Sequence, residues 1–224
     1  MVFLKPIIWP YMTGKGNSML EARGIAFGYA GANRLYDNFN LSVSPGERVA
    51  LQAPSGFGKS TLCRILAGYE RPQAGEVLCD GVLLPRRGAC PVQLIAQHPE
   101  LAVDPRLRMR DTLAEAGKVP QQLLDELGIC TEWLSRYPHE LSGGELQRFC
   151  IARALATGPR YLICDEISTM LDALTQVQIW NALLRYAAEH DTGIVFVSHT
   201  PALTDRLASR VIDLPNEPGV AGNK

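Results

Sequence analysis

Three short, nearly continuous apolar runs stand out along the chain: Val92–Ala96 with one polar interruption at Gln93, Tyr161–Cys164, and Ile194–Val197. Each stops abruptly at a polar residue: Gln97 after the first, Asp165-Glu166 after the second, Ser198-His199 after the third. Short, nearly continuous apolar runs fit strands buried on both faces of a parallel sheet. The chain before them alternates instead. Ile25–Tyr29 and Phe39–Val43 read as half-buried antiparallel strands, Pro45-Gly46 as a turn, and Glu47–Ala53 as a strand. Glu76–Cys79 followed by Gly81 reads as a further hairpin. From Gln97 to Leu141 the period changes to that of helices, over Arg110–Ala116, Gln121–Leu127 and Thr131–Tyr137, with a longer helix at Leu146–Ala156 ended by Gly158-Pro159. The expected fold is α/β: a mostly parallel core sheet, an N-terminal antiparallel β subdomain and a small α-helical insertion at about 98–157.

The strand at Glu47–Ala53 runs into Pro54-Ser55-Gly56-Phe57-Gly58-Lys59-Ser60-Thr61, and a helix follows through Ala67. Gly56 and Gly58 permit backbone conformations that turn successive N–H groups inward, and the helix N-terminus adds favourable charge. Such a loop suits phosphates, with Ser55, Gly56, Gly58 and Thr61 around them, Lys59 reaching the β- and γ-phosphates and the Ser60 hydroxyl on Mg²⁺; an ordinary glycine turn is the alternative, and a dinucleotide fingerprint a weaker one, since Thr61 stands where its third glycine would. Ala53 stands where the phosphate-loop motif has its first glycine. Ligands of open parallel sheets bind beyond the carboxyl ends of the strands, so Gln97, Asp165, Glu166 and His199 are expected to surround the phosphates. Each alone is also accounted for as a strand-terminal polar residue meeting solvent.

A second stretch, Leu141-Ser142-Gly143-Gly144-Glu145, opens the helix over Leu146–Ala156. Ser142 with Glu145 makes a capping box. Two glycines in a first helical turn cost about 1 kcal/mol each relative to alanine, which capping does not explain. Bare backbone at a helix N-terminus suits an anion, so Ser142, Gly143 and Gly144 are candidates for a second phosphate contact.

Taken together and in this order, Ala53–Thr61, Gln97, Leu141–Glu145, Tyr161–Glu166 and His199 resemble the ATP-binding cassette (ABC) ATPases, over about residues 20–214. The resemblance implies an ATPase with ATP and Mg²⁺ as cofactors. Asp165, with Ser60 and Gln97, would orient Mg²⁺; Glu166 would be the general base, His199 would contact the γ-phosphate, and Gln97 would sense it. Tyr29 would stack on adenine, or serve as a strand-packing tyrosine. Ser142–Gly144 would close over ATP held by a second cassette subunit, identical or paralogous, with Asp172 aligning the halves. The stretches Arg136–Arg148 and Val103–Arg106 look most like the subunits of peptide and nickel importers. That implies transmembrane permease subunits and a substrate-binding protein as partners, and a peripheral position on the inner face of the membrane. A soluble cassette ATPase of translation, DNA repair or a multi-enzyme assembly is the alternative. Ile167, where most of the family has proline, and Thr169-Met170-Leu171-Asp172 depart from the family pattern without removing a catalytic group.

Bulk properties refine this picture only modestly. A net charge of −1 over 224 residues gives no reason to expect a nucleic-acid partner. The basic cluster Arg106–Arg110 reads as a solvated face or as a docking surface. Six cysteines without a C-x-x-C pair read as reduced core residues of a cytosolic protein. Pro6–Pro10 is too short to span a bilayer and no cleavage site follows it, so residues 1–18 are expected to be a poorly ordered extension before a single domain over 19–224.

Overall fold

A computed structural model of the chain describes residues 18–29, 34–54, 56–169 and 171–214. The expected extension, apart from Ser18, lies outside the described residues, as do Ser55 and Met170.

The two expected sheets are present. One is antiparallel, in the order β2-β1-β4-β5, built from β1 (Leu20–Phe27), β2 (Tyr36–Val43), β4 (Ala74–Cys79) and β5 (Val82–Leu83). Its last hairpin turns on Asp80 and Gly81, with φ of 54° and 76°, the left-handed pair that a two-residue loop between twisted strands requires. The other is wholly parallel, in the order β6-β7-β8-β3-β9, from β3 (Arg48–Gln52), β6 (Val92–Ile95), β7 (Tyr161–Asp165), β8 (Gly193–Val197) and β9 (Arg210–Asp213).

The apolar runs are explained by cover on both faces. Ala50, Leu162, Cys164, Ile194 and Phe196 enter one apolar cluster, with α4 (Gly143–Ala156), α5 (Ala173–His190) and the insertion. Val49, Leu51, Ile163, Val195 and Val197 enter a second cluster, with α1 (Lys59–Leu66) and the antiparallel sheet. Every residue of β7 and β8 is buried. Full burial of one such aliphatic side chain contributes about 1.5–3 kcal/mol.

Between β6 and β7 lie α2 (Met109–Ala114), α3 (Gln121–Glu126), three short 3-10 turns and then α4. Met109, Leu113, Leu124, Leu127 and Ile129 of this insertion share the apolar cluster of the sheet. The segment expected to be helical at Thr131–Tyr137 is only a 3-10 turn, Thr131–Ser135. Arg136 and Tyr137 are both extended, with ψ of 158° and 160°, and at Tyr137 the following Pro138 imposes this. Two further expectations need correction. Gly28 and Tyr29 lie beyond the end of β1. Cys130 is exposed and Cys90 half-buried, while Cys63, Cys79, Cys150 and Cys164 are buried as expected; all six are free thiols.

The registers decide where chemistry can sit. Leu51 pairs with Val197, Val197 with Asp165, and Cys164 with Ile95. The phosphate loop, Gln97, Glu166 and His199 therefore leave the sheet along one edge, its carboxyl end.

Candidate functional site

Gly56 and Gly58 have φ of 83° and 79°, in the left-handed region that favours glycine. Ala53 is absent from the described non-glycine residues with positive φ, so alanine in place of the motif's first glycine is unstrained. Gly58 caps α1 without a side chain of its own. Behind it Tyr36, 3 % exposed, donates its phenolic hydrogen between the carbonyls of Gly58, at 3.0 Å, and Phe57, at 3.3 Å. Sequence reasoning missed Tyr36, since nothing in a strand-forming tyrosine announces that its hydroxyl reaches a loop.

Lys59 is 7 % exposed, and its ammonium donates to the carbonyls of Ala53 at 2.8 Å and Pro54 at 2.9 Å. Among the described residues it forms no ion pair within 4.0 Å with a carboxylate. A buried cation without an anionic partner is unfavourable unless a ligand supplies one, and the free N–H groups opening α1 favour the same sign.

Asp165 ends β7, 6 % exposed, and its Oδ1 has no hydrogen-bond partner. Burial pushes its carboxyl above the usual range, with Glu166 adding to the rise; a hydrogen bond from the Ser60 hydroxyl opposes it. An orphaned carboxylate oxygen beside a hydroxyl is a hard-oxygen donor set that fits Mg²⁺.

Glu166 adopts a left-handed backbone at φ 49°. That conformation costs a non-glycine residue about 1–3 kcal/mol and persists only when its surroundings enforce it. Here the Thr169 amide and hydroxyl both donate to the Glu166 carbonyl, at 3.2 and 3.0 Å, and the next side chain, Ile167, is buried in the apolar cluster. The carboxylate is held from both sides. Gln97 Nε2 donates to Oε2 at 3.1 Å, and His199 Nε2 lies 2.7 Å from Oε1. Three residues singled out separately in the sequence thus form one hydrogen-bonded cluster. A carboxylate so aimed can orient and deprotonate a water.

Tyr29, outside β1, stands beside α1: its hydroxyl is 3.1 Å from Thr61 Oγ1, its ring meets Phe27 edge-on at 5.1 Å, and it is 46 % exposed. Ser142 caps α4 as expected. Its hydroxyl accepts from the Glu145 amide at 3.3 Å, and Glu145 Oε2 accepts from the Ser142 amide at 2.7 Å. Ser142 and Gly143 are exposed, and a Cβ at Gly143 would meet nothing within 4 Å. Among the described residues no side-chain hydrogen bond joins Ser142–Gly144 to the cluster at the sheet edge. The nearest tie runs from further along α4, where Gln147 Nε2 donates to the Ala96 carbonyl at 3.3 Å.

A phosphate loop after β3 of a parallel sheet, with a buried carboxylate ending β7 and a second, hydrogen-bonded carboxylate just beyond it, defines a phosphate-loop nucleoside triphosphatase. The comparisons narrow this class. The family described as ABC transporter matches residues 36–169. The nickel import ATP-binding protein NikE of Rhodospirillum rubrum is 35% identical over 92% of this chain and 81% of its own length. The glutathione import ATP-binding protein GsiA of Pectobacterium atrosepticum is 38% identical over 78% of this chain, which spans only 31% of that relative. A solved ATP-binding subunit of an ABC transporter superposes with a TM-score of 0.77 at 25% identity, covering 89% of this chain and 87% of its own. The chain belongs to the ABC transporter family, as an ATPase that binds ATP with Mg²⁺.

Proposed function

We propose that this chain is the ATP-hydrolysing subunit of an importer of the peptide or nickel class, working as one half of a two-cassette pair. The observation that carries the catalytic part is the Glu166 carboxylate clamped between Gln97 and His199. Lys59, with the loop amides around Ser55, Gly56 and Gly58, binds and orients the phosphates. Ser60, Asp165 and Gln97 hold Mg²⁺, which when bound neutralises charge developing on the transferred phosphoryl group. Glu166 takes the proton of the attacking water; His199 fixes the carboxylate and contacts the γ-phosphate; Gln97 reports phosphate occupancy to the insertion. Thr61 supports the phosphate end and anchors Tyr29, whose exposed ring stacks on adenine.

Gly143 and Gly144 present bare backbone at a helix start, next to Ser142, whose amide and hydroxyl close the capping box with Glu145. That supports a role over nucleotide held by the second subunit, with Asp172 at the seam. Permease subunits and a substrate-binding protein complete the system, and the chain sits peripherally on the inner face of the membrane. Among its described residues no helix is long and apolar enough to cross one. The nickel and glutathione importers among its relatives support the substrate class.

The test is purification of the tagged full chain from membranes of its own host. A multi-spanning permease co-purifying with it is the expected result. Recovery with ribosomes or DNA-repair factors instead would overturn the transport reading.

A further inference from the structure

Arg148 lies in α4, one turn beyond Gly144, and its guanidinium reaches three partners on two other elements. It donates to the Leu127 carbonyl at the end of α3, to Gln178 Oε1 of α5 at 2.9 Å and to Thr175 Oγ1 of α5 at 3.1 Å. Gln178 closes the loop by donating to the Glu126 carbonyl at 3.3 Å. The close approach depends on Gly128, whose φ is +63°. A Cβ there would come within 2.8 Å of Gln178 Nε2 and 2.9 Å of Arg148 Nη1.

All three acceptors are neutral, so the planar fork is used for direction. A lysine ammonium could not serve three acceptors in those fixed directions. Thr175 continues the path, because its amide donates at 3.0 Å to Asp172 Oδ1, the residue that caps α5. An unbroken set of hydrogen bonds therefore runs from the α4 turn carrying Ser142–Gly144, through Arg148 and Thr175, to Asp172.

We propose that Arg148 is a positioning residue that locks the Ser142–Gly144 turn in register with Asp172, so that both meet a second subunit together. This rests on the two-cassette reading above. Arg148 has no contact with Lys59, Gln97, Glu166 or His199 among the described hydrogen bonds, so nucleotide affinity and pairing of subunits separate cleanly.

Glu166→Gln, Arg148→Lys/Glu166→Gln and Thr175→Val/Glu166→Gln chains are compared by light scattering with ATP and Mg²⁺, and for ADP affinity by calorimetry. Arg148→Lys alone is assayed for kcat and KM. The expected result is ADP affinity within about twofold across the set, an unchanged KM, and ATP-dependent dimerisation and kcat weakened roughly tenfold, the worth of one charge-assisted hydrogen bond. Thr175→Val, which removes the Arg148 bond to the Thr175 hydroxyl and keeps the Thr175 amide on Asp172, should show the same direction. Dimerisation of the double variants equal to Glu166→Gln would overturn the Arg148 role alone, as would loss of ADP affinity in parallel with Tm. A Glu166→Gln chain that stays monomeric with ATP would overturn the two-cassette reading, and this inference with it.

Discussion

Asp165→Asn should make the nucleotide-free protein more stable while abolishing its response to Mg²⁺. Asp165 is 6 % exposed, its Oδ1 has no partner, and burial raises its pKa. The folded chain therefore holds the Asp165 proton more tightly than the unfolded chain does. Stability attributable to this group is lost as pH rises from the unfolded value toward the raised folded one, and at neutral pH the ionised carboxylate is a net cost. Asparagine is nearly isosteric, can still accept from Ser60, and removes the charge. Its unpaired amide offsets part of the gain, leaving on the order of 1 kcal/mol, a Tm rise of roughly 2–4 °C for a chain of this size. The difference between variant and wild type should be near zero at pH 4 and below, grow above that, and level off by neutral pH. Mg²⁺-ADP at about 100 times its dissociation constant stabilises the wild type by about 2.7 kcal/mol. The variant should lack most of that shift, so the order of Tm reverses on adding ligand. Thermal unfolding by circular dichroism across pH, with and without Mg²⁺-ADP, measures both. An Asp165→Asn chain that is less stable than wild type without ligand, or keeps the full Mg²⁺-dependent shift, would refute the reasoning.

Lys59→Ala should weaken nucleotide binding by about 10–150-fold, the range for losing a hydrogen bond to a charged group, as read by calorimetry; unchanged affinity would contradict the phosphate cradle. With N-ethylmaleimide under native conditions, Cys130 should react first and Cys90 more slowly. Cys63 and Cys164, fully buried with thiol pKa raised by burial, should react only on unfolding; mass spectrometry showing rapid Cys63 labelling would contradict the packing. Gly75→Ala places a Cβ against the Arg23 and Gly24 carbonyls at a φ of +84°, and should cost more than about 3 kcal/mol in denaturant unfolding. A loss under 1 kcal/mol would show that the β1–β4 contact relaxes freely.

Much of the parallel sheet was legible because strands covered on both faces must be apolar throughout; β7 and β8 obey that rule, and β6, at the sheet edge, departs from it only at Gln93. The polar residues ending those runs were legible as candidates for the same reason: each marks where the chain leaves the core. The helix α5 escaped notice although its signal was present, with Ile179, Leu183 and Ala187 buried at intervals of four. Exposed Leu174 and Val177 at its start blur that stripe. The left-handed backbone of Glu166, the Tyr36 hydroxyl beneath the phosphate loop and the Arg148 network were not legible. Each depends on residues brought together from separate elements, which no local pattern encodes.

The central claim is that Glu166, held by Gln97 and His199, activates water for ATP hydrolysis. Glu166→Gln keeps the side-chain shape and removes the base, so the most direct measurement is its ATP affinity and turnover beside wild type. ATP binding within about twofold, with turnover lowered 10²–10⁴-fold, is the predicted result; hydrolysis at the wild-type rate would contradict the account.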